Sequence, residues 1–300
     1  MLRIRSQVGQ AIVEQIILWP VLVLLTLGAV QMAFLYRDKA VFNDAVFRAA
    51  REGALNHAYI TSMNKKLVEG LVPLYQKSAA TEGVYYDSLA KAYSDNAIDP
   101  LTGHTLGLKS GIKIEVLSPN RSVFAAFSST MYELQDGCEQ DLQTVSNGFD
   151  RTRCRTRGEM RYKQISNAAL ESYVPTETLS WQKNVVVAGE SVQMNIQDAN
   201  LLKIRAYWCA PLIVPFGSFA LYQWKKTWAS LYADLGGNTH PHWSVCKART
   251  DANALLSKDG KAVRTLYIPI SSDTVVRMQS PVRCQGDETL GRPARCINLN

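Results

Sequence analysis

The chain has 300 residues, 47% of them hydrophobic and 20% charged, with a formal net charge of +7 at pH 7. That length accommodates one membrane segment plus one sizeable domain or two small ones, and the balance of charge and apolar residues is ordinary for such a chain. No basic run is interleaved with aromatics, so nucleic acid is not indicated as a partner. The nearest approach, Arg151-Thr152-Arg153-Cys154-Arg155-Thr156-Arg157, reads as a solvated loop beside a disulfide.

The first nine residues form a short leader with Arg3 and Arg5 and no acid. The stretch Gly9-Gln10-Ala11-Ile12-Val13-Glu14 follows, and then residues 16–36, which carry no charge, with Gln31 as the only side-chain amide and Thr26 as the only aliphatic hydroxyl. At 1.5 Å per residue this run spans roughly 30 Å, the thickness of the hydrocarbon core of a bilayer. A secretory signal is the alternative, but its apolar region is about 7–15 residues long and ends at a small-residue cleavage site. Here the run is longer and ends in Arg37-Asp38-Lys39. Glu14 admits two readings. Either it snorkels to the headgroups at little cost, or it lies deep, costs about 2–3 kcal/mol and needs a partner or a purpose. Pro20 removes a backbone hydrogen bond in the first turns and is expected to kink or loosen the helix. Gly28, Ala29 and Ala33 are either a small-residue contact patch or ordinary lipid-facing residues.

Beyond the membrane, Val41, Phe42, Ala45, Val46, Ala49, Ala50, Gly53 and Ala54 recur at helical spacing. One helix of roughly 70 Å is therefore expected from Ala11 to His57, with its outer half laid on a domain. Two further helical pieces are expected between Thr61 and Asp95, with Thr61 or Ser62 as N-cap. Asp99-Pro100 and Thr102-Gly103 break the pattern. The period then becomes two at Ile112–Val116, Val192–Ile196, Leu202–Trp208, Leu266–Ile270 and Val275–Met278, predicting one antiparallel sheet with a covered face. Pro269 assigns its strand to an edge. Trp224 and Trp228 stand at helical spacing, on a short core-packed helix or on a partner surface.

Positive charge without compensating acid on the N-terminal side places that end in the cytoplasm and the bulk outside. Cysteine usage agrees. Cys138, Cys154, Cys209, Cys246, Cys284 and Cys296 all follow the apolar helix, and none has C-x-x-C spacing. An even number in an exported region reads as up to three disulfides. Sequence-local bridges, Cys138–Cys154 and Cys284–Cys296, would leave Cys209–Cys246. The chain lacks G-x-S-x-G, a P-loop and H-E-x-x-H, so neither a catalytic residue nor a cofactor is expected. His240 and His242 offer two metal nitrogens without a further ligand nearby, so a metal is not expected either.

The leader, Gly9, the glutamate five residues on and the apolar run resemble a class III signal peptide, the substrate of prepilin peptidase. Taken with Trp19-Pro20-Val21-Leu22 and Phe47-Arg48-Ala49-Ala50-Arg51-Glu52-Gly53-Ala54, they resemble the TadE-like pseudopilins of tight-adherence (Flp) pilus systems. The segment from Asn200 to Pro215 resembles the C-terminal part of the same family. The resemblance implies cleavage between Gly9 and Gln10, which would leave about +5 from side chains, and pairing of Glu14 with the new terminus of a neighbouring subunit. It implies prepilin peptidase, a major Flp-type pilin, other pseudopilins, the inner-membrane assembly platform and membrane lipid as partners. The expected architecture is α+β. Residues 1–9 form a leader, residues 10–57 a pilin-like transmembrane helix, and residues 58–300 a disulfide-stapled periplasmic domain of helices and antiparallel sheet. The competing reading is a single-pass, membrane-anchored periplasmic binding or enzymatic domain unrelated to pili.

Overall fold

The computed structural model describes residues 8–76, 82–106, 110–134, 159–167, 182–187, 190–214, 223, 226–227, 240–255 and 265–283. In chain order these form α1 (Val8–Leu55), α2 (Ile60–Leu71) with a 3-10 turn at Val72–Leu74, and α3 (Glu82–Asn96). Then come β1 (Ile112–Ser118), α4 (Arg121–Phe127), β2 (Ser129–Leu134), β3 (Glu159–Ile165), β4 (Lys183–Val187) and β5 (Glu190–Met194). A one-turn α5 (Ile196–Ala199), β6 (Leu201–Leu212), α6 (Trp243–Leu255), β7 (Leu266–Arg277) and β8 (Val282–Arg283) follow. The architecture is α+β: one long apolar helix leading into helices and antiparallel sheet.

The 48 residues of α1 span about 72 Å. The helix ends at Leu55, slightly before the expected His57, because His57 and Ala58 take left-handed backbone angles, φ 55° and 62°. Such angles cost an L-residue on the order of 1–2 kcal/mol each. A distant segment helps to hold them. Gln279 N and Ser280 N donate to Ala54 O at 3.0 and 2.9 Å, and His57 N donates to Ser280 Oγ at 2.8 Å. A carbonyl in the last turn of α1 thus finds partners that its own helix cannot supply. The N-cap of α2 is Tyr59, with no side-chain cap bond. Ser62 instead donates back to Tyr59 O at 2.8 Å, which corrects the expected Thr61 or Ser62 cap.

The central sheet has the order β1-β6-β7, antiparallel throughout. Two expectations change here. Leu266–Ile270 and Val275–Met278 belong to one strand, apart from Met278, which follows its end; β7 pairs with β6 from Leu212↔Leu266 to Leu201↔Arg277. Of Val192–Ile196, only Val192–Met194 lies in β5, which among the described residues pairs with β4 in a separate hairpin, while Asn195 caps α5 and Ile196 begins it; a third sheet has the order β2-β3-β8. Pro269 lies in β7, an edge strand, where a missing N–H leaves no ladder bond unmade. Trp224 and Trp228 lie outside the described residues.

The core forms where the outer half of α1 crosses β6 and β7 and runs beside α2. Phe42, Ala45, Val46, Ala49 and Ala50 are fully buried there. Phe42 meets Trp208 with ring centroids 5.8 Å apart. Small residues set the spacing of the helices: a Cβ on Gly70 of α2 would lie 2.6 Å from Ala45 Cβ. On β6, alternation sends Trp208 towards α1 and its neighbour Cys209 to the opposite face. There Cys209 bonds Cys246 of α6, with Cα atoms 5.4 Å apart. Cys138, Cys154, Cys284 and Cys296 lie outside the described residues.

Candidate functional site: the apolar helix and its seat on the domain

The described inner part of α1 presents apolar side chains outward. Ile16, Trp19, Leu22 and Leu25 are each more than half exposed. The apolar window of the helix is almost entirely unburied, and the helix is long and apolar enough to cross a membrane. A surface of this extent is stable only against lipid or other apolar helices. Gly9, Gln10 and Glu14 lie in the first turns of α1, and Pro20 lies inside it. The side chains of Gly9, Gln10 and Glu14 fall outside the described residues. Gly28 has open space where a Cβ would stand, so the patch it shares with Ala29 and Ala33 is uncovered there.

Exposure falls from Leu27 outward: Leu27 and Gly28 are half-buried, and Gln31, on the face that meets the domain, is fully buried. Gln31 Oε1 accepts a hydrogen bond from Val214 N at 2.9 Å, just past the end of β6. Next comes a charged collar. Arg37 Nη2 lies 3.2 Å from Asp38 Oδ1, with Asp38 buried and Arg37 open to solvent. Burial raises the Asp38 carboxyl pKa, and the bond and charge of Arg37 oppose that rise. Lys39 Nζ donates to Ser271 O. Burial lowers its pKa, partly countered by Asp273.

The collar opens on a cleft of about 510 Å³ lined by Lys39, Arg205, Tyr207, His240 and Asp273. Arg205 Nε and Nη2 donate to Asp273 Oδ1 and Oδ2 at 2.7 and 2.6 Å. That bidentate pairing holds the Asp273 carboxyl below the ordinary range. Tyr207 OH donates to Glu115 Oε2 at 3.1 Å, and its ring stacks on His242 with centroids 5.8 Å apart. His242 is buried, which lowers its pKa, and its Nε2 lies 3.4 Å from Gly111 O. Potential ligand atoms of Cys209, His242 and Cys246 lie within 4.8 Å of one another. Both sulfurs are bonded to each other there, and a metal needs thiolates. Charges in the cleft are thus engaged with neighbouring strands and backbone.

Sequence reasoning placed the apolar run and the outer stripe, but not the contact of Gln31 with Val214 or the tie of Ala54 to residues 279–280. The one signal for the former was the isolation of a single amide in an apolar run.

Residues 9–51 match the TadE-like protein family, a span that contains the inner turns of α1, Pro20 and most of the buried outer stripe. No curated protein matches the chain, and no solved structure matches it.

Proposed function

We propose that this protein is a minor pilin or pseudopilin of a tight-adherence (Flp-type, type IV-like) pilus, processed by prepilin peptidase between Gly9 and Gln10. The observation that carries the reading is a TadE-like segment, residues 9–51, built as one helix with an uncovered apolar inner part and an outer part buried in an α+β domain. The match over residues 9–51 supports a place in a Tad/Flp pilus system. The helix is suited to storage in a membrane and to side-by-side packing with the apolar helices of other subunits.

In this account the N-terminus is cytoplasmic and the domain periplasmic, as the charges of Arg3 and Arg5 and the oxidised cysteine pair favour. Glu14 pairs with the cationic terminus of Gln10 on a neighbouring subunit, which offsets the cost of an acid within the membrane. Pro20 loosens the helix so that it can adjust to its neighbours. Partners are the peptidase, the major pilin, other pseudopilins and the inner-membrane assembly platform.

A Glu14→Ala variant tests the pairing. It is expected to insert into the membrane normally and to impair pilus assembly, seen as loss of surface filaments by electron microscopy. Normal filaments from that variant would refute the role assigned to Glu14.

A further inference from the structure

Gln31 and Val214 meet where the apolar helix first buries a side chain completely. Gln31 is only 1% exposed, and its partner, the backbone N–H of Val214, lies 183 residues away in the chain. By that point the chain has left β6, which ends at Leu212; Ile213 and Val214 belong to no strand or helix. Ile213 is 58% exposed. Irregular backbone facing lipid does not occur within the hydrocarbon region, because its amides and carbonyls would find no partners there. A membrane span at residues 16–36 would carry Gln31 about 7–8 Å below the outer face and take the 213–214 backbone down with it. The collar of Arg37, Asp38 and Lys39 stands only about 9–12 Å further out along the helix. Inward from Gln31, the first turn is half-buried at Leu27 and Gly28, and residues 18–25 are exposed on every side.

We propose that residues 11–30 span the hydrocarbon, with the Gln31–Val214 contact at the outer face. Counted inward from Val30, about 20 residues fill a 30 Å core, and the count reaches residue 11. The apolar run by itself starts at residue 16, so the domain shifts the membrane register by roughly five residues towards the N-terminus. The bilayer surface is thereby the partner of the β6 tip. The shift has a chemical consequence at the other end. Glu14 and Gln15 lie about one turn inside the inner face, rather than at the headgroups where a carboxylate would be solvated. This inference rests on reading α1 as a membrane anchor.

Cysteine accessibility in the full-length chain, in native membranes, tests the register. Val23→Cys, Met32→Cys and Ala33→Cys change exposed helix positions and leave the Gln31 contact in place. A membrane-impermeant maleimide is applied from the side that bears the domain, with the parent chain as background. Met32→Cys and Ala33→Cys are expected to label in intact membranes, and Val23→Cys only after detergent. Equal protection of all three, with the protein retained in carbonate-washed membranes, would overturn the register alone. Release of the protein by the carbonate wash would overturn the anchor itself.

Discussion

Two halves of one helix meet two different surroundings, and their side chains differ accordingly. The inner half of α1 offers Ile16, Trp19, Leu22 and Leu25, large and exposed. The outer half offers Ala45, Ala49, Ala50 and Ala54, small and buried, with Phe42 as the one large member. Lipid tails or mobile neighbours conform to bulky side chains. A folded sheet and a packed helix do not, so small residues bring the backbones close, as Ala45 does opposite Gly70. The match to residues 9–51 covers both halves, so the matched segment is at once an uncovered apolar helix and a core helix.

The comparison predicts very different costs for similar truncations. Phe42→Ala removes the ring packed on Trp208 and is expected to cost about 3–5 kcal/mol of domain stability by denaturant unfolding. Leu22→Ala, in the exposed half, is expected to leave that transition unchanged. An equal loss from both would erase the distinction between the halves.

The collar adds a pH dependence. Burial raises the folded-state pKa of Asp38 above its ordinary value of 3.8. The native state therefore holds this proton more tightly than the unfolded chain, and stability falls as pH rises from that value through the folded pKa. Asp38→Asn is expected to raise the melting temperature at pH 7, with the gain shrinking below pH 3.8. A constant difference across pH would show that the substitution acts by another route.

A small loss belongs to the exposed cross-strand pair. Asp273→Asn should cost only about 0.2–1 kcal/mol, with the loss diminished at high salt. The pKa of Asp273 is depressed in the fold, so its contribution is present above the unfolded carboxyl value and lost as pH falls through the folded one, opposite in sign to Asp38. A loss as large as that of Phe42→Ala would mean that the cleft carries the fold.

Local periodicity made some of this architecture legible in the sequence. The stripe from Phe42 to Ala54 repeats every three to four residues, and β1 and the first half of β6 alternate, so each announced its element and its covered face. Pairing was less legible because it is non-local. Val192 alternates within β5 as well as any residue of the main sheet, yet its partner is Val185 across a short hairpin. Ser271, Ser272 and Asp273 resemble a break between strands. They continue β7 because Ser271 O accepts from Lys39 and Asp273 pairs with Arg205 across the ladder. At the candidate site, the charge-free run, Glu14 and Pro20 were visible from spacing alone. The outer limit of the run was not, since it depends on Val214 reaching back to Gln31.

In the proposed function, residues 1–9 are a processing signal and residue 10 a working terminus. N-terminal sequencing of the mature protein, from the native host and from a strain lacking prepilin peptidase, tests it directly. A mature chain that begins at Gln10 only when the peptidase is present is the predicted result. An intact Met1 in the native host, with the peptidase active, would contradict the account.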